Sequence, residues 1–402
     1  MSYLINPFDR LVDIADEKDY KKFLSQGFRI PTQQQIDIHI ASKLQLINDM
    51  QNEVTGNSDI YMATVSEGGK DGYGVSSEKI VSELGKLGVK ISRSFSGQKI
   101  GLLYHNPYSI MRMESPFRII YTMFESDKIP DDWKDYLDVA DLVLVPSKWC
   151  KEVFEKSGIQ NVRVVPLGYD DNVFKYVERP NKRETRQDFT FLHYNAFNVR
   201  KGFMELFEAF NAEFRADEPV KMIYKTTLKT RPLPISQSMY PKIEVLEGGI
   251  SDVQLAELCG RADCFVFPSR GEGFGITPLE AMATGLPTIV PNAHGITEYF
   301  NTDYMYEAPV EKLSPAIYSK YKGMDVGNMV ECDVKGLRKQ MRWIYEHEKE
   351  AKEKGKLASE YVKQWTFAKT AEKLKILFDA IKKDPETDKK PIKNILILEK
   401  IT

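Results

Sequence analysis

Short runs of apolar, β-branched residues alternate with helical patterns along most of this chain, and the whole alternation occurs twice. The first series of candidate strands comprises residues 59–65, 99–105, 118–124, 142–146 and 162–166. The second series comprises residues 189–194, 221–225, 243–246, 264–268 and 287–291. Candidate helices lie between the strands at 77–87, 203–214, 253–260 and 278–284. Alternation at this spacing predicts βαβ units, and hence two doubly wound α/β domains with parallel sheets.

The chain length fits two domains, because 402 residues exceed the roughly 250–300 that one hydrophobic core usually supports. A polar, proline-bearing stretch at 178–188 separates the two series and is the expected linker. We expect an N-terminal extension of unknown role over 1–55, which resembles a short hairpin followed by a helix at 32–53. The two Rossmann-like domains are expected over 56–182 and 183–366, and a C-terminal segment over 367–402.

The C-terminal part of the sequence predicts helices and a tail. One helical pattern covers 334–364 and is expected to break near Gly355, because glycine is a poor helix former. A second covers 367–383 and is followed by a charged stretch at 384–390 and a strand-like run at 392–401.

The composition excludes several classes of protein. The chain has 56 Lys and Arg against 58 Asp and Glu, a net charge of −2, which disfavours a dedicated nucleic-acid binder. No apolar run approaches the roughly 20 residues of a membrane helix, and the first residues lack the features of a signal peptide. Four cysteines without metal-type spacing predict free thiols in the reducing cytoplasm. A peripheral contact with a membrane stays open.

The most informative segment is a glycine-rich stretch at 265–287, which predicts a strand, a loop and a helix. Gly271, Gly273 and Gly275 allow the backbone of this loop to approach a ligand, and the N-terminus of the helix favours an anion there. Two carboxylates, Glu272 and Glu280, bracket the loop eight positions apart, so both can face a cleft at the carboxyl ends of the strands. Carboxylates accept paired hydrogen bonds from sugar hydroxyls.

This segment resembles the signature of the retaining glycosyltransferases in the large family that includes sucrose synthases and bacterial mannosyltransferases. The family has the GT-B fold, and the chain is identified as family 4-like, with a Glu-x7-Glu pair inside a longer pattern. The positions that match are Pro268, Ser269, Glu272, Gly273, Phe274, Gly275, Leu279, Glu280, Ala281, Met282, Ala283, Gly285 and Pro287.

The resemblance implies roles for several residues of this loop. Glu280 is expected to hold the ribose hydroxyls of a nucleotide-sugar donor. Glu272 and the backbone amides of Gly273, Phe274 and Gly275 are expected to hold the sugar and its phosphate. The C-terminal domain would then be the donor domain and the N-terminal domain the acceptor domain, with the helix at 367–383 crossing back to the latter.

A second element at 191–203 predicts a strand that leads into a loop with two cations, Arg200 and Lys201. Cations at the start of a helix can complete a diphosphate site. In the resembled family an Arg and a Lys-Gly pair of this loop neutralise the departing diphosphate, and Lys201 matches the Lys. The Arg position falls on Asn195 or Ala196, so this chain departs from the pattern, and Arg200 or Lys225 is expected to supply the charge.

The N-terminal half carries weaker matches to the same family. A glycine-rich loop at 66–75 follows the first strand, and the resemblance makes Gly72 and Gly74 the expected contacts to the donor phosphate. Many members place a catalytic His after the strand at 118–124, where this chain has Glu125. His105 ends the preceding strand, and either residue is a candidate for the role of that His.

These observations predict a hexosyltransferase that acts with retention and needs neither a metal nor a cofactor beyond its co-substrate, a UDP- or GDP-sugar. The acceptor would be the hydroxyl of a glycan, a lipid-linked sugar or a protein. The loops at 106–115 and 125–133 are expected to select it. Two alternatives remain: a non-catalytic homologue that binds nucleotide sugars, and a phage-type enzyme that glycosylates modified DNA bases.

Overall fold

The structure is a computed structural model that describes residues 2–5, 11–14, 30, 58–64, 72–182, 187–227 and 242–383. The predicted helix at 32–53, most of the glycine-rich loop at 66–75, and the segments at 384–390 and 392–401 lie outside the described residues. The predicted N-terminal hairpin is present as two antiparallel strands, β1 (Ser2–Ile5) and β2 (Leu11–Ile14).

The N-terminal domain is a parallel six-stranded sheet with the order β4-β3-β5-β6-β7-β8. All five residues of its central strand β5 are buried, as expected for a sheet that is covered on both faces. The strands are β3 (Ile60–Ala63), β4 (Ile91–Ser92), β5 (Ile100–Tyr104), β6 (Phe117–Tyr121), β7 (Leu142–Val145) and β8 (Val162–Val164). The helices are α1 (Gly72–Lys86), α2 (Trp133–Leu137) and α3 (Lys148–Lys156).

The C-terminal domain repeats this plan with the strand order β11-β10-β9-β12-β13-β14, again all parallel. Its strands are β9 (Phe189–Tyr194), β10 (Val220–Thr226), β11 (Ile243–Glu247), β12 (Cys264–Val266), β13 (Thr288–Val290) and β14 (Tyr306–Glu307). Its first helices are α4 (Phe203–Glu213), α5 (Asp252–Arg261) and α6 (Ile276–Ala283). The predicted pair of doubly wound parallel sheets is therefore confirmed.

After β14 the chain forms an antiparallel hairpin that the sequence did not predict. It consists of β15 (Val310–Pro315) and β16 (Asn328–Cys332), joined by residues 316–327. We call residues 310–332 the arm. The arm belongs to neither of the two parallel sheets.

Three helices complete the described chain: α7 (Val334–Glu346), α8 (Glu348–Tyr361) and α9 (Phe367–Lys383). The expected break near Gly355 is wrong, because the helical pattern is interrupted at His347 instead. Gly355 lies inside α8, where a Cβ atom would come within 2.3 Å of the Gly285 carbonyl oxygen. The glycine therefore permits close packing of α8 on the end of α6 rather than ending a helix.

The polypeptide crosses between the domains at two places that contact each other. The Tyr169 amide donates to the Trp365 carbonyl at 3.1 Å, and the Phe367 amide donates to the Tyr169 carbonyl at 3.0 Å. Beyond the second crossing, α9 packs on α1, and Leu374 and Phe378 share one apolar core with Leu84. The last described helix therefore covers the N-terminal domain.

At the first crossing, the chain already packs on the C-terminal domain within the stretch 178–188, which was expected to be the linker. The guanidinium of Arg179 is buried and donates to the carbonyl oxygens of Ala262, Cys259 and Thr284. No helix in the described parts of the chain is long and apolar enough to cross a membrane.

Candidate functional site

The predicted site lies where two neighbouring strands of the C-terminal sheet end. β9 pairs with β12, and each is followed by a loop and a helix, α4 after β9 and α6 after β12. The carboxyl ends of the strands in an open parallel sheet form the crevice in which such folds bind ligands. Both loops face the N-terminal domain across this crevice.

The two loops are packed directly on each other. Gly202 has a left-handed backbone (φ 70°), and a Cβ atom there would lie 1.9 Å from the Pro268 carbonyl oxygen. The Arg270 amide donates to the Arg200 carbonyl at 2.7 Å, while the Asn198 side chain caps the short turn by accepting from the Arg200 amide. Glycine at 202 is therefore required for the contact that brings the two cations to the second loop.

A buried cluster of charges lies at this contact. Lys201 Nζ is 2.6 Å from Glu272 Oε1, and Arg200 Nη1 is 3.3 Å from the same oxygen. Ser269 Oγ donates to Glu272 Oε1 at 2.6 Å. Glu272 and Lys201 are only 8% and 9% exposed. Burial alone would raise the pKa of Glu272, but the charges of Lys201 and Arg200 and the Ser269 hydrogen bond outweigh it and lower that pKa.

Glu125 joins this cluster from the N-terminal domain. Its Oε1 atom is 3.3 Å from Arg200 Nη2, and its Oε2 atom accepts a 3.1 Å hydrogen bond from the hydroxyl of Tyr318. Arg200 also donates to the Gly271 carbonyl at 2.6 Å. The charges therefore alternate across the crevice, from Glu125 through Arg200 and Glu272 to Lys201.

The glycine-rich loop touches the N-terminal domain along its length. A Cβ atom at Gly271 would lie 2.0 Å from the Glu125 carbonyl oxygen, and one at Gly273 would lie 2.7 Å from the Met123 side chain. The Ser147 hydroxyl donates to the Gly273 carbonyl at 2.8 Å. Larger residues at 271 and 273 would force the two domains apart. These glycines therefore allow close contact between the domains, in addition to any role in ligand binding.

The last glycine of the loop starts the helix that the sequence predicted. Gly275 is the residue before α6, has a left-handed backbone (φ 87°), and its carbonyl accepts a 2.6 Å hydrogen bond from the Tyr299 hydroxyl. Because the first amides of a helix have no partner within it, the start of α6 presents donors at the edge of the crevice.

Glu280 lies further along α6, in different surroundings from Glu272. Its Oε2 atom accepts a 3.3 Å hydrogen bond from the Tyr194 hydroxyl. Burial, with the nearby negative charges of Asp252 and Asp170, raises the pKa of Glu280 to about 8, although the Lys79 ammonium opposes the shift. The surroundings thus lower the pKa of one carboxylate of the Glu-x7-Glu pair and raise the pKa of the other. This difference suits two separate roles.

An ion triad joins the domains beside Glu280. Lys79 of α1 is 2.7 Å from Asp170 and 2.8 Å from Asp252 at the start of α5. Asp170 directly follows Tyr169 at the first crossing of the chain, so the triad connects both domains and the crossing itself.

Several predicted residues lie outside the charge cluster. The Lys225 ammonium donates to the carbonyl oxygens of Thr226 and Gly248, not to the Glu272 carboxylate. The side-chain oxygen of Asn195 accepts a hydrogen bond from the Ala196 amide. The buried Nδ2 atom of the same side chain has no hydrogen-bond partner among the described residues. The His105 ring lies 4.9 Å from the ring of Tyr73 in α1.

The two glycines predicted in the first N-terminal loop lie in a helix instead. Gly72 and Gly74 form the first turn of α1, and their carbonyl oxygens accept hydrogen bonds from the Ser76 and Ser77 hydroxyls. The helix therefore starts at Gly72, earlier than the residue 77 that its apolar pattern suggested.

Two histidines near the crevice are packed in aromatic surroundings. His193 is buried in β9, its Nδ1 atom lies 2.8 Å from the Val266 carbonyl oxygen, and burial lowers its pKa to about 4. The His294 ring meets that of Trp149 in the N-terminal domain edge-on, with centroids 4.6 Å apart. Neither ring joins the charge cluster. Within the described ranges no group of three or more His, Cys, Asp or Glu side chains is arranged to hold a metal ion.

The sequence analysis gave no role to three side chains that contact predicted residues: Ser269 on Glu272, Tyr194 on Glu280 and Tyr318 on Glu125. It also missed Lys79, whose charge acts on Glu280. Ser269 lies three positions before Glu272, so its spacing could have indicated the contact. Tyr318 is 193 positions from Glu125 in the chain. No local pattern could have connected those two residues.

Comparison with known families identifies the segment that carries this site. Residues 175–305 match the family of glycosyl transferases group 1. The matched range contains both loops of the crevice and ends before the arm.

Two curated proteins are similar over part of the chain. A mannosylfructose-phosphate synthase of Agrobacterium fabrum is 28% identical over 152 residues, which are 34% of this chain and 33% of that protein. An MMP alpha-(1->4)-mannosyltransferase of Mycolicibacterium hassiacum is 28% identical over 171 residues, 41% of this chain and 40% of that protein. The chain thus spans well under two thirds of the length of these relatives.

Solved structures match almost the whole fold at low sequence identity. Sucrose-phosphate synthase from Thermosynechococcus elongatus has a TM-score of 0.61 at 14% identity, over 80% of this chain and 98% of that chain. Anabaena HepE, solved in complex with UDP-glucose, has a TM-score of 0.60 at 11% identity, over 80% and 99% of the two chains. The chain therefore has the GT-B fold, two facing Rossmann-like domains with a crevice between them.

Proposed function

We propose, from the GT-B fold and the group 1 glycosyltransferase match, that this protein transfers a sugar from a nucleotide-diphosphate sugar to an acceptor hydroxyl with retention of the anomeric configuration. The observation that carries the proposal is the buried cluster of Lys201, Arg200 and Glu272 beside the start of α6. Two desolvated cations and a helix N-terminus at the mouth of an interdomain crevice suit a diphosphate.

Each residue of the cluster has a role in this proposal. Lys201 and Arg200 neutralise the diphosphate of the donor, and the amides of Gly273, Phe274 and Gly275 hold the sugar and its phosphate. Glu272 keeps the two cations in place and accepts from hydroxyls of the sugar. Glu280 accepts from the ribose hydroxyls.

The reaction follows from these positions. The bond between the anomeric carbon and the phosphate oxygen breaks, and the leaving charge develops on a phosphate that the preorganised cations already face. The acceptor oxygen forms its bond to the anomeric carbon on the same face, and its proton passes to the leaving phosphate. Glu125, which reaches the crevice from the acceptor domain, orients the acceptor hydroxyl. Closure of the two domains excludes water and so favours transfer over hydrolysis.

The names of the similar proteins support a hexose donor and a nucleotide carrier. Two relatives are named for mannosyl transfer or mannosylfructose-phosphate synthesis, and the HepE structure holds UDP-glucose. We therefore propose a UDP- or GDP-hexose as donor and no cofactor beyond it. All four cysteines are free and buried, which is compatible with the proposed cytoplasmic location.

A donor screen tests the proposal. The protein is incubated with UDP-, GDP- and ADP-sugars in the presence of a chelator, and release of the nucleoside diphosphate is measured with and without acceptor glycans. The anomeric configuration of the product is then read by NMR. Lys201→Met is the negative control for the site, and Lys221→Met, a lysine of β10 on the same domain, is the matched control for loss of a charge.

One observation favours a second candidate, a homologue that binds nucleotide sugars without turnover. The family's Arg position is occupied by Asn195 or Ala196, and Arg200 is engaged by two carboxylates. Binding of a nucleotide sugar without release or transfer, for every donor and acceptor tried, would support that candidate. Transfer to modified DNA bases alone would support a DNA-modifying enzyme.

A further inference from the structure

The arm leaves the donor domain and is fixed to the loop of the acceptor domain that carries Glu125. The Asp127 amide donates to the Asn328 carbonyl at 3.2 Å, and the Asn328 amide donates to the Asp127 carboxylate at 2.5 Å. The Ser126 hydroxyl donates to the Val326 carbonyl at 2.5 Å. Ser126 and Asp127, the two residues that follow Glu125, thus fix the position of the arm by hydrogen bonds.

Aromatic rings extend this contact. The Phe124 ring has its centroid 5.1 Å from that of Tyr318 and 5.8 Å from that of Tyr321. The Tyr321 hydroxyl accepts a 3.2 Å hydrogen bond from Trp133 Nε1. The rings of both tyrosines of the arm therefore pack on Phe124, whereas their hydroxyls have different hydrogen-bond partners.

The hydroxyl of Tyr318 is aimed at the crevice. It donates to Glu125 Oε2 at 3.1 Å, while Glu125 Oε1 faces Arg200. Each oxygen of the carboxylate thus has one partner, the arm on one side and the loop of the proposed diphosphate site on the other. The Glu125 side chain is 25% exposed, so the carboxylate has room to turn if either partner is lost.

We propose that Tyr318 is a positioning residue that acts through Glu125: it holds the carboxylate toward the crevice when the donor diphosphate takes over Arg200. The inference rests on the proposed function. A bound diphosphate competes with Glu125 for Arg200, since both are anions, and the Tyr318 hydrogen bond is the contact that such competition leaves intact. Because the arm comes from the donor domain, this contact also makes the placement of an acceptor-domain carboxylate depend on domain closure.

The proposal separates two kinetic effects. Tyr318 touches neither of the cations proposed to bind the diphosphate, so its loss leaves donor binding unchanged. Its loss lowers kcat, because the carboxylate is no longer directed at the acceptor hydroxyl. Loss of a hydrogen bond to a charged group is expected to lower kcat by about tenfold.

A double-mutant cycle tests it, with the donor and acceptor on which the wild type is active. Tyr318→Phe keeps the ring that packs on Phe124 and removes only the hydroxyl. We expect about tenfold lower kcat with the donor KM unchanged, and no further loss when Tyr318→Phe is added to Glu125→Gln. Tyr321→Phe removes the hydroxyl of the arm's other tyrosine and is expected to keep kcat within about twofold. The Tm of each variant shows that the fold is retained.

Three results would overturn the inference: equal losses of kcat from Tyr318→Phe in both backgrounds, the same loss from Tyr321→Phe, or a change in donor KM rather than kcat. If the wild type transfers sugar and one of these is found, the positioning role fails and the proposed function stands. If the wild type turns over no donor, the proposed function fails and the positioning role falls with it.

Discussion

Glu125 of the N-terminal domain and Arg200 of the C-terminal domain form an ion pair across the crevice, with Oε1 and Nη2 3.3 Å apart. Arg200 meets Glu272 at the same distance on its other side. A guanidinium between two carboxylates is already neutralised, so an incoming diphosphate must replace at least one of them. The more exposed of the two is Glu125, at 25% against 10% for the side chain of Glu272.

Removal of the charge of Glu125 is therefore expected to strengthen nucleotide binding. In Glu125→Gln the affinity for a nucleoside diphosphate rises by about tenfold, because a competing anion beside Arg200 is gone. Isothermal titration calorimetry at two salt concentrations measures the effect. Glu114→Gln, an acidic residue in the loop before β6, should leave the affinity unchanged. Weaker binding in Glu125→Gln would show that the carboxylate contacts the ligand favourably instead.

Removal of the charge of Glu272 is expected to lower both the turnover and the thermal stability of the protein. Glu272→Gln lowers kcat by about 10²-fold, because the proposed contact to the sugar and the fixed position of Lys201 are both lost. The buried cations then repel each other without compensation, so Tm falls by about 5 °C, and a saturating nucleoside diphosphate restores much of it. Thermal unfolding with and without nucleotide measures this. Glu257→Gln, at an exposed position of α5, is the matched control. Unchanged turnover in Glu272→Gln would contradict the assignment.

The raised pKa of Glu280 predicts a pH dependence of nucleotide binding. Below about pH 8 the free protein holds this carboxyl protonated. If ribose hydroxyls donate to the carboxylate, binding must release that proton, so affinity rises by up to about tenfold per pH unit toward pH 8 and then levels off.

The measurement is the ratio of nucleotide affinity between wild type and Glu280→Gln from pH 6 to 9, since the ratio removes the titration of the phosphate itself. A flat ratio would contradict the ribose assignment. The same shift makes the carboxylate destabilising as pH rises from about 4.5 through 8, so the Tm advantage of Glu280→Gln should grow over that interval.

Gly355 provides a test of packing that is independent of the proposed chemistry. Alanine is the better helix former by about 1 kcal/mol, yet a Cβ atom at 355 meets the Gly285 carbonyl oxygen at 2.3 Å. Overpacking at such a contact costs about 1–3 kcal/mol, so Gly355→Ala is expected to lower the free energy of unfolding.

The control for this change is Gly85→Ala in α1, where a Cβ atom meets nothing within 4 Å. We expect Gly85→Ala to stabilise by about 0.5–1 kcal/mol. Chemical denaturation measures both variants, and a stabilising Gly355→Ala would contradict the packing contact.

Local signals sufficed for five of the six strands in each parallel sheet and for the centre of the candidate site; the two-residue strands β4 and β14 were not predicted. An apolar run predicted β9 and a helical pattern predicted α9, each over the same residues that the structure has. The loop of Glu272 and the turn of Lys201 were also found, because in each a glycine, a charge and a following helix lie within a few positions of one another.

Contacts between distant residues are what the sequence could not provide. Strand β15 of the arm has mostly exposed residues, so no apolar run predicted it. Strand β16 buries Met329, Val330 and Cys332, but it is short and was not predicted either. Arg200 was a conjecture from the sequence, whereas its position depends on the backbone bond to Arg270 and the fit of Gly202 on Pro268. The helix break was placed at Gly355 from propensity, although propensity is overridden where a small residue serves a close contact.

The paired bonds between Tyr169 and residues 365 and 367 decide what kind of motion the crevice can make. Two crossings far apart would restrict the domains to rotation about the line that joins them. Here the two crossings lie side by side, so we expect them to act as one point about which the domains can rotate. The way the loops meet on closure then depends on direct contacts across the crevice, such as the ion pair of Arg200 with Glu125.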